Sequence, residues 1–175
     1  YPQKRPPYDV AFVLLEEPPL SMKMPPWAIR LLLDLPTLEK LVFSCGVYKV
    51  KAANIRDFSV MIRDRFGGRV PDTMEDLLTL PGVGRKIANL ILGDIYGQEG
   101  YVCDTHCIRI TGRLGLTDGS KDPAKVEKQL RTCIPPEESS DFCHRMVLHG
   151  RALCMARKPN CETCPLQADC DYRKK

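Results

Sequence analysis

Leu80-Pro81-Gly82-Val83-Gly84-Arg85-Lys86 stands between two apolar helical repeats, and the reading of this stretch sets the fold. On its N-terminal side Asp72 lies three residues before Glu75, a capping-box spacing that predicts a helix running through Leu80. On the other side Ile87, Leu90, Ile91 and Ile95 recur at helical intervals, which predicts a helix from about Arg85 to Tyr96. Between them Gly82 and Gly84 can take positive φ and carry no Cβ, so another molecule can approach the backbone closely. Amides at the start of the second helix point outward and the helix dipole is positive there, so a phosphate is a natural ligand. A plain helix–helix turn would use the same two glycines; the cations Arg85 and Lys86 directly after them favour an anion.

Outward from the hairpin the pattern stays helical. A short helix is predicted over Leu38–Ser44 with Thr37 as N-cap, and a longer one over Lys51–Phe66, where Ile55, Phe58 and Ile62 form a stripe and Gly67-Gly68 supplies the stop. Further helices are predicted at Thr105–Leu114, at Pro123–Cys133 with Asp122 as cap, and at Ser140–Leu153. No alternating strand pattern and no internal repeat appears, so the fold class is all-α with a cysteine-rich loop after the last long helix. Eight of the fifteen prolines fall in the first 36 residues, which excludes long helices there.

A chain of 175 residues suits one domain or two small lobes. Hydrophobic residues at 43% and mixed-sign charges at 27% exclude a disordered or collagen-like chain. Apolar runs such as Val10–Leu15 are short, and no basic-then-apolar leader is seen, so neither a membrane span nor a secretory signal is predicted. The net charge of +4 is uneven: residues 142–175 hold seven basic against three acidic side chains. A basic end suits a polyanion, and equally a solvated tail. No P-loop, H-E-x-x-H or G-x-S-x-G occurs, so nucleotide hydrolysis, zinc proteolysis and serine-hydrolase chemistry have no support.

Nine cysteines is an odd number, and four of them, Cys154, Cys161, Cys164 and Cys170, lie within the last 22 residues as C-x6-C-x2-C-x5-C. Clustering of this kind reads as a metal site, and four thiolates suit either a [4Fe–4S] cluster or Zn²⁺. Cys45, Cys103, Cys107, Cys133 and Cys143 read as small buried residues. His106, His144 and His149 have no ligand spacing and read as hydrogen-bonding or packing groups. Trp27 lies in the proline-rich region, as core or exposed.

The hairpin stretch followed by Ala88-Asn89, the segment Val102-Cys103-Asp104-Thr105-His106, and Leu148-His149-Gly150-Arg151 leading into the four cysteines together resemble the endonuclease III family of helix-hairpin-helix DNA glycosylases, over roughly Thr37 to Lys175. The resemblance implies a helical barrel lobe over residues 8–100, with the hairpin at about 73–96, and a second lobe over 101–175, joined by 1–7, that ends in a cluster loop at 154–170. It implies a [4Fe–4S] cluster on Cys154, Cys161, Cys164 and Cys170. DNA contacts are expected from Leu80, Gly82, Val83, Gly84 and Arg85, and from Arg157 and Lys158 in the cluster loop. The implied activity is a DNA glycosylase with AP lyase activity on oxidised pyrimidines. The implied partner is duplex DNA carrying a damaged base or an abasic site, bound by a monomer, cytoplasmic and nucleoid-associated, in a bacterium.

Base removal needs a nitrogen leaving group to depart from C1′ while positive charge builds on the sugar, so an amine nucleophile and a carboxylate answer both needs. The resemblance assigns these roles to Lys86 and Asp104. Lys86 lies in the first turn of its helix, where the dipole disfavours the protonated amine by ~0.3–1 kcal/mol. As a solvated cation it would simply touch phosphate. Asp104 also suits the N-cap of the helix at Thr105, and both roles can hold together. The target base must be flipped out of the duplex.

Two departures from the family pattern stand out. No Gln occurs between Pro6 and Gly97, so the S-A-Q-x-T-D helix that carries the wedge is missing and the part before Thr37 reads as shortened; Ile87 also replaces the usual Thr after the lysine. Abasic cleavage is therefore expected to outrun base excision. The alternative is a non-catalytic or degenerate iron–sulfur DNA-binding module, which would need the hairpin and basic loop but neither Lys86 nor Asp104.

Overall fold

The computed structural model describes residues 34–174; Trp27 and the rest of the proline-rich N-terminal segment before Asp34 lie outside the described residues. The helices are α1 Leu35–Leu41, α2 Tyr48–Arg65, α3 Met74–Thr79, α4 Arg85–Asp94, α5 Thr105–Leu114, α6 Pro123–Leu130, α7 Ser139–Ala152 after a 3₁₀ turn at Pro136–Glu138, and α8 Asp171–Lys174. Among the described residues there is no strand, so the all-α class holds. Two compact units form, one ending at Val83 and the other beginning at Gly84.

In the first unit α1 and α2 close a small core of Leu38, Val42, Ala52 and Ile55. Along α2 the buried positions are Ala52, Ile55, Ser59 and Ile62, with Phe58 packed beside them. Helix α1 starts three residues before the predicted Leu38, because Pro36 fits a first turn whose amides need no intrahelical partner. Asp34 is its N-cap, and Thr37, expected there, instead donates its hydroxyl to Asp34. Helix α2 also starts early, at Tyr48, behind Val47 at φ 58°. For α3 the cap is Thr73 rather than Asp72: its hydroxyl accepts from the Asp76 amide at 3.2 Å and donates to the Asp76 carboxylate at 3.0 Å.

The second unit packs around Tyr101, Val102, Cys103, Cys107, Ile110, Val126, Leu130, Cys143 and Met146. Helix α4 stops at Asp94, and the expected last turn through Tyr96 is an irregular turn whose Tyr96 amide returns to the Ile91 carbonyl. Its buried face is Ala88, Asn89, Ile91 and Leu92, with Leu90 packed on the core. Helix α6 ends at Leu130, three residues before the predicted Cys133, which is exposed in the following turn rather than buried. Helix α7 opens on buried Ser139, whose hydroxyl accepts from the Gly100 amide at 2.9 Å. It crosses α5 at Gly150, where a Cβ would strike the His106 ring and Ile110.

Candidate nucleic-acid interface and active site

The hairpin turn divides its duties between the two units. On the first side Leu80 is 3% exposed, so of the DNA contacts expected there its side chain is unavailable and only its main chain remains. Gly82 is exposed at φ 76°, and a Cβ there would lie 2.5 Å from Asn54 Nδ2 and 2.9 Å from Asn54 Cβ. Asn54, which nothing in the local sequence marks, thus supports the turn from α2. Val83 is half-buried and donates its amide to the Leu80 carbonyl at 3.1 Å.

On the second side exposed Gly84 is the N-cap of α4 and, having no side chain, gives that helix no capping bond. Arg85, expected to meet phosphate, instead forms a two-pronged pair with Glu127 of α6: Nε to Oε2 at 2.6 Å and Nη2 to Oε1 at 2.8 Å. The Glu127 side chain is 4% exposed against 49% for Arg85. Burial alone would raise the Glu127 carboxyl, but bonds from Arg85 and Arg131 outweigh it and hold it below the usual carboxylate range. Lys86 is exposed in the same first turn.

Asp104 caps α5, its Oδ1 accepting from the Cys107 amide at 2.7 Å, and is half-buried. The cap uses one carboxylate oxygen, so a second role for the group is geometrically open. Lys86 and Asp104 belong to the same unit, and Leu90 of α4 packs on the core that holds Val102 and Cys103.

Cys154, Cys161, Cys164 and Cys170 are all half-buried and line one pocket with Ile110, Leu114 and Leu153. Among the described residues no three His, Cys, Asp or Glu groups gather closely enough for one metal ion. Four thiols on the wall of one pocket are a donor set that suits an iron–sulfur cluster. Arg113 closes the wall: it reaches Cys154 Sγ at 3.2 Å, donates to the Met155 and Ala156 carbonyls at 2.8 and 2.9 Å, and lies over the Tyr172 ring. Arg109, one turn earlier, donates to the Cys154 carbonyl at 2.9 Å. These two arginines escaped sequence reading, although their i, i+4 spacing puts them on one face of α5. His149 Nε2 lies 3.7 Å from Cys164 Sγ, and burial pushes its imidazole down. Arg157 and Lys158 are exposed between the first two cysteines, as expected.

Residues 22–136 match the HhH-GPD superfamily of base excision DNA repair proteins, and residues 154–170 match the iron–sulfur binding domain of endonuclease III. The chain belongs to the HhH-GPD superfamily. The cofactor of its endonuclease III-type domain is a [4Fe–4S] cluster, which the thiol-lined cavity fits. Similar superfamily members include endonuclease III of Synechocystis sp., 43% identical over 78% of this chain and 63% of the relative, and of Bacillus subtilis, 39% identical over 80% and 64%. Endonuclease III of Escherichia coli is 35% identical over 85% of the chain and 70% of the relative. The chain thus spans about 63% of the Synechocystis relative's length. A structure of a trapped endonuclease III–DNA covalent intermediate, in an estranged-adenine complex, is 40% identical with a TM-score of 0.75, covering 81% of this chain and 66% of that one. A thermostable thymine-DNA glycosylase, 22% identical with a TM-score of 0.72 over 83% of this chain and 70% of that one, shares the fold.

Proposed function

We propose that this chain is a base-excision-repair DNA glycosylase with AP lyase activity on oxidised pyrimidines, acting through an imine at Lys86. The observation that carries the reading is an exposed lysine in an uncapped first helical turn, in a superfamily member that also has a carboxylate at the N-cap of α5. The neutral Lys86 Nζ attacks C1′, and the base leaves with the bonding electron pair. Asp104 stabilises the positive charge developing on the sugar and takes the lysine proton. Once the sugar ring opens, the C1′–Nζ bond becomes an imine; loss of a C2′ proton then expels the 3′ phosphate by β-elimination. Cys154, Cys161, Cys164 and Cys170 hold the cluster, which fixes the basic loop in shape.

The substrate in this reading is duplex DNA with a damaged base or an abasic site, held by the main chain of Leu80–Gly84 and by Arg157 and Lys158. The working division is a barrel lobe at 8–100 and a cluster lobe at 101–175 with 1–7, whereas the compact units part at Val83. The protein acts as a monomer, nucleoid-associated in a bacterial cytoplasm; no helix among the described residues is long and apolar enough to cross a membrane. The non-catalytic alternative has no observation in its favour.

Borohydride trapping on a duplex with an abasic site is the test. A covalent protein–DNA adduct is expected from the unmodified chain and none from Lys86→Gln. Asp104→Asn is expected to slow removal of thymine glycol more than abasic cleavage, since the abasic sugar already offers an aldehyde. Trapping that survives Lys86→Gln unchanged would place the nucleophile elsewhere.

A further inference from the structure

The Glu127 carboxylate, buried on α6, takes more donors than any single pair requires. Its Oε2 accepts from Arg85 Nε at 2.6 Å and from Asn89 Nδ2 at 3.3 Å; its Oε1 accepts from Arg85 Nη2 at 2.8 Å and from Arg131 Nη2 at 3.1 Å. Arg131 in turn pairs with Glu99. Burying a charge in this way rarely stabilises a fold more than apolar packing of the same volume would, so its structural effect is geometric. A side-on arginine–carboxylate pair fixes the guanidinium in both plane and distance.

What is fixed here is one end of one helix. Arg85 and Asn89 are i and i+4 on α4, so Glu127 grips two successive turns on one flank, and Lys86 sits between them. The N-cap is Gly84, which gives no side-chain bond. Leaving those amides unbonded suits an anion ligand, but it also leaves the first turn without the local anchor a Ser, Thr or Asp would provide. Helix α6 is well placed to supply the anchor from a distance: Asp122 caps it, accepting from the Ala124 amide at 3.0 Å, and Val126 and Leu130 are buried in the core on either side of Glu127.

We infer that Glu127 is a positioning residue for Lys86, holding the first turn of α4 through Arg85 and Asn89 so that the amine meets C1′ in a reactive geometry. This rests on the reading of Lys86 as the nucleophile. Its action is on orientation, so loss of the clamp lowers the rate of bond formation and leaves DNA affinity largely in place.

Single-turnover trapping on an abasic duplex, with cluster-loaded protein at saturating DNA, separates the possibilities. Glu127→Gln is expected to slow adduct formation by about 10- to 100-fold, with Kd for DNA changed by less than about threefold. Arg85→Lys, which keeps the charge and loses the two-pronged geometry, is expected to slow it similarly, and serves if Glu127→Gln does not fold. Arg131→Met removes an arm of the same network that does not touch α4, and is expected to trap at close to the unmodified rate. A folded Glu127→Gln or Arg85→Lys that traps at the unmodified rate overturns the inference, as does an Arg131→Met that slows as much as they do. An unmodified chain that traps nothing, or a Lys86→Gln that still traps, overturns the lysine reading and this inference with it.

Discussion

Gly82 and Gly84 look alike in the sequence and do different work. Gly82 holds φ 76°, a region that costs an ordinary L-residue roughly 1–2 kcal/mol, and its missing Cβ leaves room for Asn54. Since even Asn54 Cβ would lie 2.9 Å away, a rotamer change of Asn54 cannot clear the clash and α2 itself must shift. Gly82→Ala is therefore expected to destabilise the protein by about 2–3 kcal/mol. Gly84 is extended with open space where its Cβ would be, so Gly84→Ala should cost about 1 kcal/mol or less, the difference between glycine and alanine at an N-cap. Urea unfolding of the two variants side by side checks this, and equal costs would contradict it. Arg85 teaches the same lesson: its charge and position were legible in the chain, but its partner, 42 residues away, was not.

Among the elements, the C-terminal end of α4 is tied to α7 by a pH-dependent contact. His144 Nε2 lies 2.9 and 3.0 Å from the two Asp94 oxygens, and the Ser140 hydroxyl donates to Asp94 at 2.6 Å. The Asp94 hydrogen bond raises the His144 imidazole above its usual 6.5. For Asp94, burial works upward, but the bonds from His144 and Ser140 more than offset it and the net shift is downward from 3.8. The histidine contribution is fully present below its unfolded value and fades as pH rises through the raised folded value. The aspartate contribution is present above its unfolded value and fades as pH falls through the lowered one. The pair therefore stabilises most between those two unfolded values. The Tm difference between the unmodified chain and His144→Gln is expected to be larger at about pH 6 than at about pH 8.5, read by thermal unfolding at matched ionic strength. A difference that grows over that interval would contradict the assignment. Helix existence was legible from periodicity, whereas several ends moved by one to three residues; at α1 and α3 the reasons are that Pro36 has no amide to satisfy in a first turn and that the Thr73 hydroxyl takes the Asp76 amide.

For the whole molecule, the charge pattern sets how strongly the proposed hold on DNA depends on salt. If three to five phosphates are neutralised by side chains, the log–log dependence of affinity on salt should have a slope of roughly −3 to −5. Arg85 is engaged with Glu127, so the exposed cluster-loop cations Arg157 and Lys158 should carry a good part of that slope. Replacing both by Gln is expected to reduce the slope by about 2, one for each phosphate lost, measured by titration of a duplex at several salt concentrations; an unchanged slope would remove the loop from the interface. The sequence by itself determined what is local in the chain: the helical class, the turn glycines, the spacing of four thiols, and the lysine and aspartate that open their helices. Each follows from residue type at short separation, where periodicity, missing Cβ atoms and ligand spacing act directly. Tertiary structure alone decided that Leu80 is packed away, that Asn54 supports Gly82, that Arg109 and Arg113 fasten the cysteine loop, and that Glu127 clamps the turn carrying Lys86. The paired contacts among these join residues from 28 to 45 positions apart, and at such separations a side chain's partner is set by how helices pack around the core, which no local pattern encodes.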